Sequence, residues 1–166
     1  VLIIGGGVIG QLAVQLAVVA GAEVMLLTRN PDKQALGVTV GAALVAGSEG
    51  DVKNQWPEGA DLVAECAGVA DTVSMAPRLT RSGGRIVILG VLPSGQQVPI
   101  EPFDLLFREI DLRFSFLNPF THERAAQMIA NGSIEVAPLV SRKITLDEAP
   151  KAISSPAIDG EVRAIV

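Results

Sequence analysis

Val1-Leu2-Ile3-Ile4-Gly5-Gly6-Gly7-Val8-Ile9-Gly10 is an apolar run that breaks into three consecutive glycines and meets a fourth three residues on. The run has the composition of a strand buried on both faces. Beyond it, Ile9, Leu12, Ala13, Leu16, Ala17 and Ala20 recur at helical spacing, with Gln11 and Gln15 on another side and Gly21 as a stop. Val14 and Val18 widen the apolar surface, so this helix is expected to be covered by more than its own sheet. Strand, glycine loop and helix in that order form the fingerprint G-x-G-x-x-G, filled by Gly5, Gly7 and Gly10. The first glycine permits a tight turn, the second lets a pyrophosphate approach the backbone, and the third lets helix and strand pack closely. The first helical residues, Val8 and Ile9, then offer free N–H groups and a positive dipole end to the anion. A glycine turn that only joins strand to helix would share the spacing, but not the βαβ unit around it.

Outward from this loop, strand-like runs alternate with helical patterns at Val1-Gly5, Glu23-Thr28, Leu44-Val45, Asp61-Glu65, Arg85-Leu89 and Leu112-Phe116. Six such strands predict an α/β fold, a doubly wound, mainly parallel Rossmann sheet. Asn30-Pro31-Asp32 opens a second helix, with Asn30 as N-cap and Pro31 in the first turn. Asn118-Pro119 repeats the pattern before a helix over Thr121-Ala130, closed by Asn131-Gly132. The dinucleotide-binding domain is expected to span residues 1–132. Residues 133–166 form a C-terminal extension with a strand near Arg142-Thr145, a helix from Asp147 to Ser154 and a strand at Val162-Val166.

The second strand ends about twenty positions beyond the glycine loop, where dinucleotide domains meet the adenosine ribose. An acidic residue there would bind a 2′-hydroxyl, but this chain has Thr28 followed by Arg29. A hydroxyl beside a guanidinium receives a 2′-phosphate through charge-assisted hydrogen bonds, and Lys33 adds charge to the same corner. The expected cofactor is NADP(H), with NAD(H) the alternative.

Composition narrows the remaining chemistry. A net charge of −5 excludes a general nucleic-acid surface, which needs a basic field. The longest apolar stretch is interrupted by Gln11 and Gln15, short of the roughly 18 residues that cross a bilayer. Cys66 is the single cysteine, so no internal disulfide is available and a cytoplasmic setting is expected. There is no tyrosine, which removes the short-chain dehydrogenases with their Tyr-Lys chemistry, and Thr28 disfavours a methyltransferase. The chain starts with Val1 inside a strand-like run, which predicts a fragment.

With Glu65-Cys66-Ala67-Gly68, Ser82-Gly83-Gly84-Arg85-Ile86-Val87-Ile88-Leu89-Gly90, Pro138-Leu139-Val140 and Leu146-Asp147-Glu148-Ala149 added in order, the whole chain resembles the zinc-type medium-chain dehydrogenases, the alcohol and polyol dehydrogenases among them. The resemblance implies that Leu89, Gly90 and Val91, with Ser115 and Leu117, hold the nicotinamide carboxamide. It also implies that Thr28, Arg29 and Lys33 take the adenosine ribose, and that Cys66 and Ala67 line the adenine end. Thr28 departs from the family's frequent acidic residue. Phe114 stands where a small residue is common, and Leu117 where polyol dehydrogenases often carry Arg.

In that family the catalytic zinc and proton relay belong to an N-terminal domain. A catalytic zinc needs about three protein ligands, and this chain has one cysteine and one histidine. Zinc is therefore expected only in that missing domain, no catalytic residue is assigned here, and the chain alone is expected to be inactive. Cys66 reads as a buried small hydrophobe and His122 as a solvated first-turn residue. Apolar surface exposed along the extension predicts a homodimer, and the resemblance implies that its seam is the sixth strand, Leu112-Phe116. Two other readings stay open: the cofactor domain of a zinc-free quinone reductase, and a non-catalytic NAD(P)H-binding or sensing module.

Overall fold

The computed structural model describes residues 1–118, 120–155, 158 and 160–166. Strands β1 (Leu2–Ile4), β2 (Met25–Leu27), β3 (Leu44–Ala46), β4 (Ala60–Glu65), β5 (Thr80–Ile88) and β6 (Asp111–Phe114) form one sheet in the order β3-β2-β1-β4-β5-β6, with every pairing parallel. The expected doubly wound sheet is therefore present, and its order reverses between β1 and β4. At such a reversal the crossovers leave to opposite faces and open a crevice at the carboxyl ends of the strands.

Side chains alternate along each strand, so the two faces bury separate clusters. Leu2, Ile4, Met25 and Leu27 face helices α3 (Glu49–Gln55) and α4 (Ala70–Leu79), where Val52, Val73, Ala76 and Leu79 meet them. Ile3, Val24, Leu26 and Ala64 face α1 (Val8–Val19), where Val14 is fully buried. α2 (Pro31–Thr39) covers the same side, and its Gly37 lies against Leu26. Asn30 caps α2 as expected, accepting from the Lys33 amide at 3.0 Å. Ser48 and Asp51 close a capping box on α3, a helix that sequence reasoning did not name, as it did not name α4 or α5 (Pro102–Phe107).

The face that α1 buries corrects the sequence reading. Gly10, Gln11, Val14 and Gln15 are inside, while Ile9, Leu16 and Val19 stay about half exposed. Both glutamines are tolerated there because each finds backbone partners. Gln15 makes a two-way clasp with Glu135, its Nε2 donating to the carbonyl at 3.0 Å and its Oε1 accepting from the amide at 2.7 Å. α1 is thus covered by the extension as well as by its own sheet.

The Arg85-Leu89 strand begins earlier than expected, at Thr80, with a register shift against β4 between Ala60 and Leu62. α6 (His122–Ala130) starts after Thr121, which makes no side-chain cap; Asn118 instead bonds His122, 2.7 Å away. Pro119 lies outside the described residues. In the extension, Ile134 and Leu139 are buried. β7 (Arg142–Lys143) pairs with β8 (Ala164–Ile165), and α7 (Ala149–Ser154) follows a 3-10 turn at Leu146–Glu148. Leu146, Ile153 and Val166 are exposed, as expected of the extension. Among the described residues, no helix is long and apolar enough to cross a membrane.

Gln15→Ala removes both bonds to Glu135, an exposed residue, and leaves its amide and carbonyl to solvent. We expect residues 133–140 to loosen from α1 by about 1–3 kcal/mol. Hydrogen exchange at the Glu135 amide should accelerate accordingly, whereas unchanged protection would refute the clasp.

Candidate functional site

Gly5 adopts a φ of 106°, a conformation suited to glycine, and its amide donates to the Leu27 carbonyl at 2.9 Å. A Cβ at Gly10 would fall on the Gly5 carbonyl oxygen, so α1 reaches the loop only because that position has no side chain. Gly7 is the N-cap of α1, and a Cβ there would meet nothing within 4 Å. The loop is therefore sealed on its inner side at Gly10 and open at Gly7, and α1's first turn carries no acidic residue to compete for its amides. An oxyanion fits this opening with free N–H groups ahead of it.

The structure brings most of the remaining sequence-derived residues to this same end of the sheet. Thr28 follows β2; its amide donates to Ala46 at 3.0 Å and its side chain lies against Gly6. Arg29 is exposed and Lys33 half-buried at the start of α2. Among the described residues neither side chain is ion-paired, whereas Arg78, Arg81, Arg85, Arg108 and Arg142 each hold a carboxylate. The corner at Thr28 thus offers two free cations and a hydroxyl, a donor set matched to a phosphate.

Cys66 and Ala67 follow β4. The Cys66 amide donates to Ile4 at 2.8 Å, and Ala67 packs against Gly5. Burial, with the neighbouring Glu65 second, pushes the Cys66 thiol up to about 12, which makes it an inert packing residue rather than a nucleophile. Leu89 and Gly90 follow β5, both amides bonding the Glu65 carbonyl, and Val91 beyond them is exposed. Ser115 continues β6, its amide donating a hydrogen bond to the Ile88 carbonyl at 3.0 Å, and Leu117 is exposed with a φ of 57°. Among the described residues, no three His, Cys, Asp or Glu side chains cluster as metal ligands do.

Sequence reasoning passed over Glu65 as the end of a strand. It is fully buried, and its Oε1 accepts from the amides of Ala67 at 2.8 Å and Gly68 at 2.9 Å and from the Thr72 hydroxyl at 2.7 Å. Oε2 is buried without a partner among the described residues, against Gly90. One carboxylate therefore ties the loop after β4 to the start of α4, beneath the turn after β5. The signal was available: an acidic residue closing a buried parallel strand must find donors.

A surface cavity of about 520 Å³ lies elsewhere, at the amino ends of β4 and β5 among Trp56, Gly59, Arg78, Arg81 and Arg108. The arginines there are already neutralised by Glu49, Asp61 and Asp104. The crevice at the carboxyl ends is the better candidate on chemistry, because its cations Arg29 and Lys33 are unpaired among the described residues and the first turn of α1 opens toward it.

A glycine loop at the N-terminus of α1, beside the reversal in strand order, defines the Rossmann type of dinucleotide-binding fold. Residues 8–132 match the family model described as zinc-binding dehydrogenase, and the chain belongs to that family. It is 28% identical over 167 residues to sorbitol dehydrogenase of Gallus gallus, covering 93% of this chain and 46% of that protein. It is 27% identical over 177 residues to L-arabinitol 4-dehydrogenase of Aspergillus niger, covering 94% and 45%. A crystal structure from Sinorhizobium meliloti 1021, assigned as a zinc-binding dehydrogenase and bound to NADP, superposes with a TM-score of 0.94 at 50% identity, covering 98% of this chain and 50% of that one. The chain thus spans about half the length of these relatives.

Glu65→Ala would strip three donors of their acceptor at once. We expect a loss of about 3 kcal/mol or more in urea unfolding, against about 1 kcal/mol for Thr72→Val. A Glu65→Ala protein as stable as the unsubstituted one would show that the three bonds carry no weight.

Proposed function

We propose that this chain is the NADP(H)-binding part of a zinc-type alcohol or polyol dehydrogenase, with NAD(H) as the alternative cofactor. The observation that carries the reading is the glycine loop, closed at Gly10 and open at Gly7 in front of α1. The relatives named as polyol dehydrogenases and the NADP-bound neighbour support it. In this reading Gly5, Gly7, Val8, Ile9 and Gly10 cradle the pyrophosphate. Thr28, Arg29 and Lys33 take the 2′-phosphorylated ribose, and Cys66 with Ala67 lines the adenine end. Backbone groups at Leu89-Gly90-Val91, Ser115 and Leu117 orient the nicotinamide carboxamide.

When bound, the nicotinamide exchanges hydride with an alcohol or carbonyl whose oxygen a zinc ion polarises, and that zinc belongs to a separate domain of the intact enzyme. This chain's own part is to bind and orient, so residues 1–132 form the cofactor domain and 133–166 lead toward the zinc-bearing side. Alone it is inactive. A reducing cytoplasmic setting suits the lone Cys66.

The same reading makes the protein a homodimer through β6. This strand is the outer edge of the sheet, and Phe114 and Phe116 stand 72% and 79% exposed beside it. An unpaired apolar edge pairs readily with a second copy across a two-fold axis.

NADPH fluorescence titration tests the cofactor assignment. Arg29→Ala is expected to weaken NADPH about fivefold or more, with solvent screening of an exposed guanidinium setting the lower end, and to leave NADH unchanged. Equal binding of both cofactors, unaffected by the substitution, would overturn the 2′-phosphate assignment. Light scattering at micromolar concentration should return twice the chain mass, and Phe114→Glu should return the single mass; a monomer in both cases would count against the β6 seam.

A further inference from the structure

Gln11 is polar, fully buried and placed where α1 turns away from the glycine loop. Its Nε2 donates to the Lys33 carbonyl at 2.8 Å and lies 3.4 Å from the Gly6 carbonyl. Its Oε1 is buried with no partner among the described residues. The side chain is therefore held through its nitrogen alone, which bridges the glycine loop to the first turn of α2. A second observation locates the same junction: a Cβ at Gly6 would come within 2.9 Å of both Lys33 Cβ and the Thr28 hydroxyl oxygen. Loop, Thr28 and Lys33 are thus packed without slack, and Gln11 fastens them from beneath.

This arrangement fixes the spacing between two anion sites. The pyrophosphate would sit over Gly7, and a 2′-phosphate at the Thr28, Arg29 and Lys33 corner. Both phosphates hang from one ribose ring, on its 2′ and 5′ sides, which confines their separation to a narrow range, so binding them together requires the two protein sites to keep a matching separation. A cofactor without the 2′-phosphate engages only the first site and is indifferent to where Lys33 stands.

We infer that Gln11 is a positioning residue for cofactor selectivity, favouring the 2′-phosphorylated dinucleotide by holding Lys33 in register with the glycine loop. The inference rests on the cofactor reading above and goes beyond it, because Gln11 touches neither phosphate. Gln11→Leu keeps the volume and removes both the bridging donor and the orphaned oxygen, so the helix should stay packed. Gln11→Met serves the same end should the branched side chain fit poorly.

The test measures Kd for NADPH and NADH, by fluorescence titration of the intact protein, in the unsubstituted chain, Gln11→Leu, Lys33→Ala and the double variant. Lys33→Ala should cut the NADPH preference about fivefold or more, as loss of a charge-assisted contact does. Gln11→Leu should cut it about threefold, through NADPH alone, and add nothing once Lys33 is already alanine. Equal weakening of both cofactors by Gln11→Leu, or a full additional loss in the double variant, overturns the inference while leaving the cofactor reading intact. No NADPH preference in the unsubstituted protein, or none lost in Lys33→Ala, overturns the phosphate corner and the inference with it.

Discussion

The close approach of Gly10 to the Gly5 carbonyl decides where α1 lies, and most of the site follows from where α1 lies. Any side chain at residue 10 would occupy the space of that oxygen, so alanine alone would force helix and loop apart. With the helix seated, Gly7 becomes its N-cap, the first amides of α1 face the crevice, and Gln11 comes within reach of α2. Gln15, one turn further along the same buried face, reaches Glu135. A contact between two glycines five positions apart therefore sets the opening in front of α1, its junction with α2 and the seat of the extension together.

The sheet was legible because a buried parallel strand has a composition that few other elements share, and six such runs at βα spacing leave little choice of topology. The glycine fingerprint was legible because its three positions answer to three separate steric demands. The burial of α1 was not. Ile9, Leu16 and Val19 outrank Gln11 and Gln15 on any hydropathy scale, yet the glutamines are inside. Periodicity measures transfer to an apolar phase and does not register polar partners, such as the Lys33 carbonyl for Gln11 or the Glu135 backbone, 120 residues away, for Gln15. Glu65 escaped attention for the same reason: its donors lie on the loop beyond it and on α4. The short helices α3 and α5 lacked enough turns to declare a period.

Charge sorts the two ends of the sheet by pairing rather than by count. At the amino ends Glu49 accepts from Arg78 at 2.8 Å and from Lys53 at 2.7 Å, and the Arg78 bond foremost holds its carboxyl down to about 2. Such a closed set has little attraction left for a ligand, however large the cavity it lines. At the carboxyl ends Arg29 and Lys33 make no ion pair among the described residues, and Lys33 packs at Gly6 of the glycine loop. A binding site for an anion is the place where the fold leaves its donors unspent, and here that place coincides with the reversal in strand order.

Glu65 and Gln11 occupy corresponding roles on either side of that reversal. Each is a buried polar side chain at the carboxyl end of the sheet, Gln11 joining the carbonyls of two segments and Glu65 joining two loop amides to the Thr72 hydroxyl of α4, and each keeps one oxygen unpartnered among the described residues. A hydrophobic side chain of the same size would pack as well but could not fix the separation of two loops, because apolar contact is non-directional. Fixing loops to within a few tenths of an ångström takes directional bonds, and an orphaned oxygen is the cost that such bonds leave behind. Both residues sit where a dinucleotide would span β1 and β4. A binding crevice formed by backbone needs that kind of support, since its own groups are spent on the ligand rather than on each other.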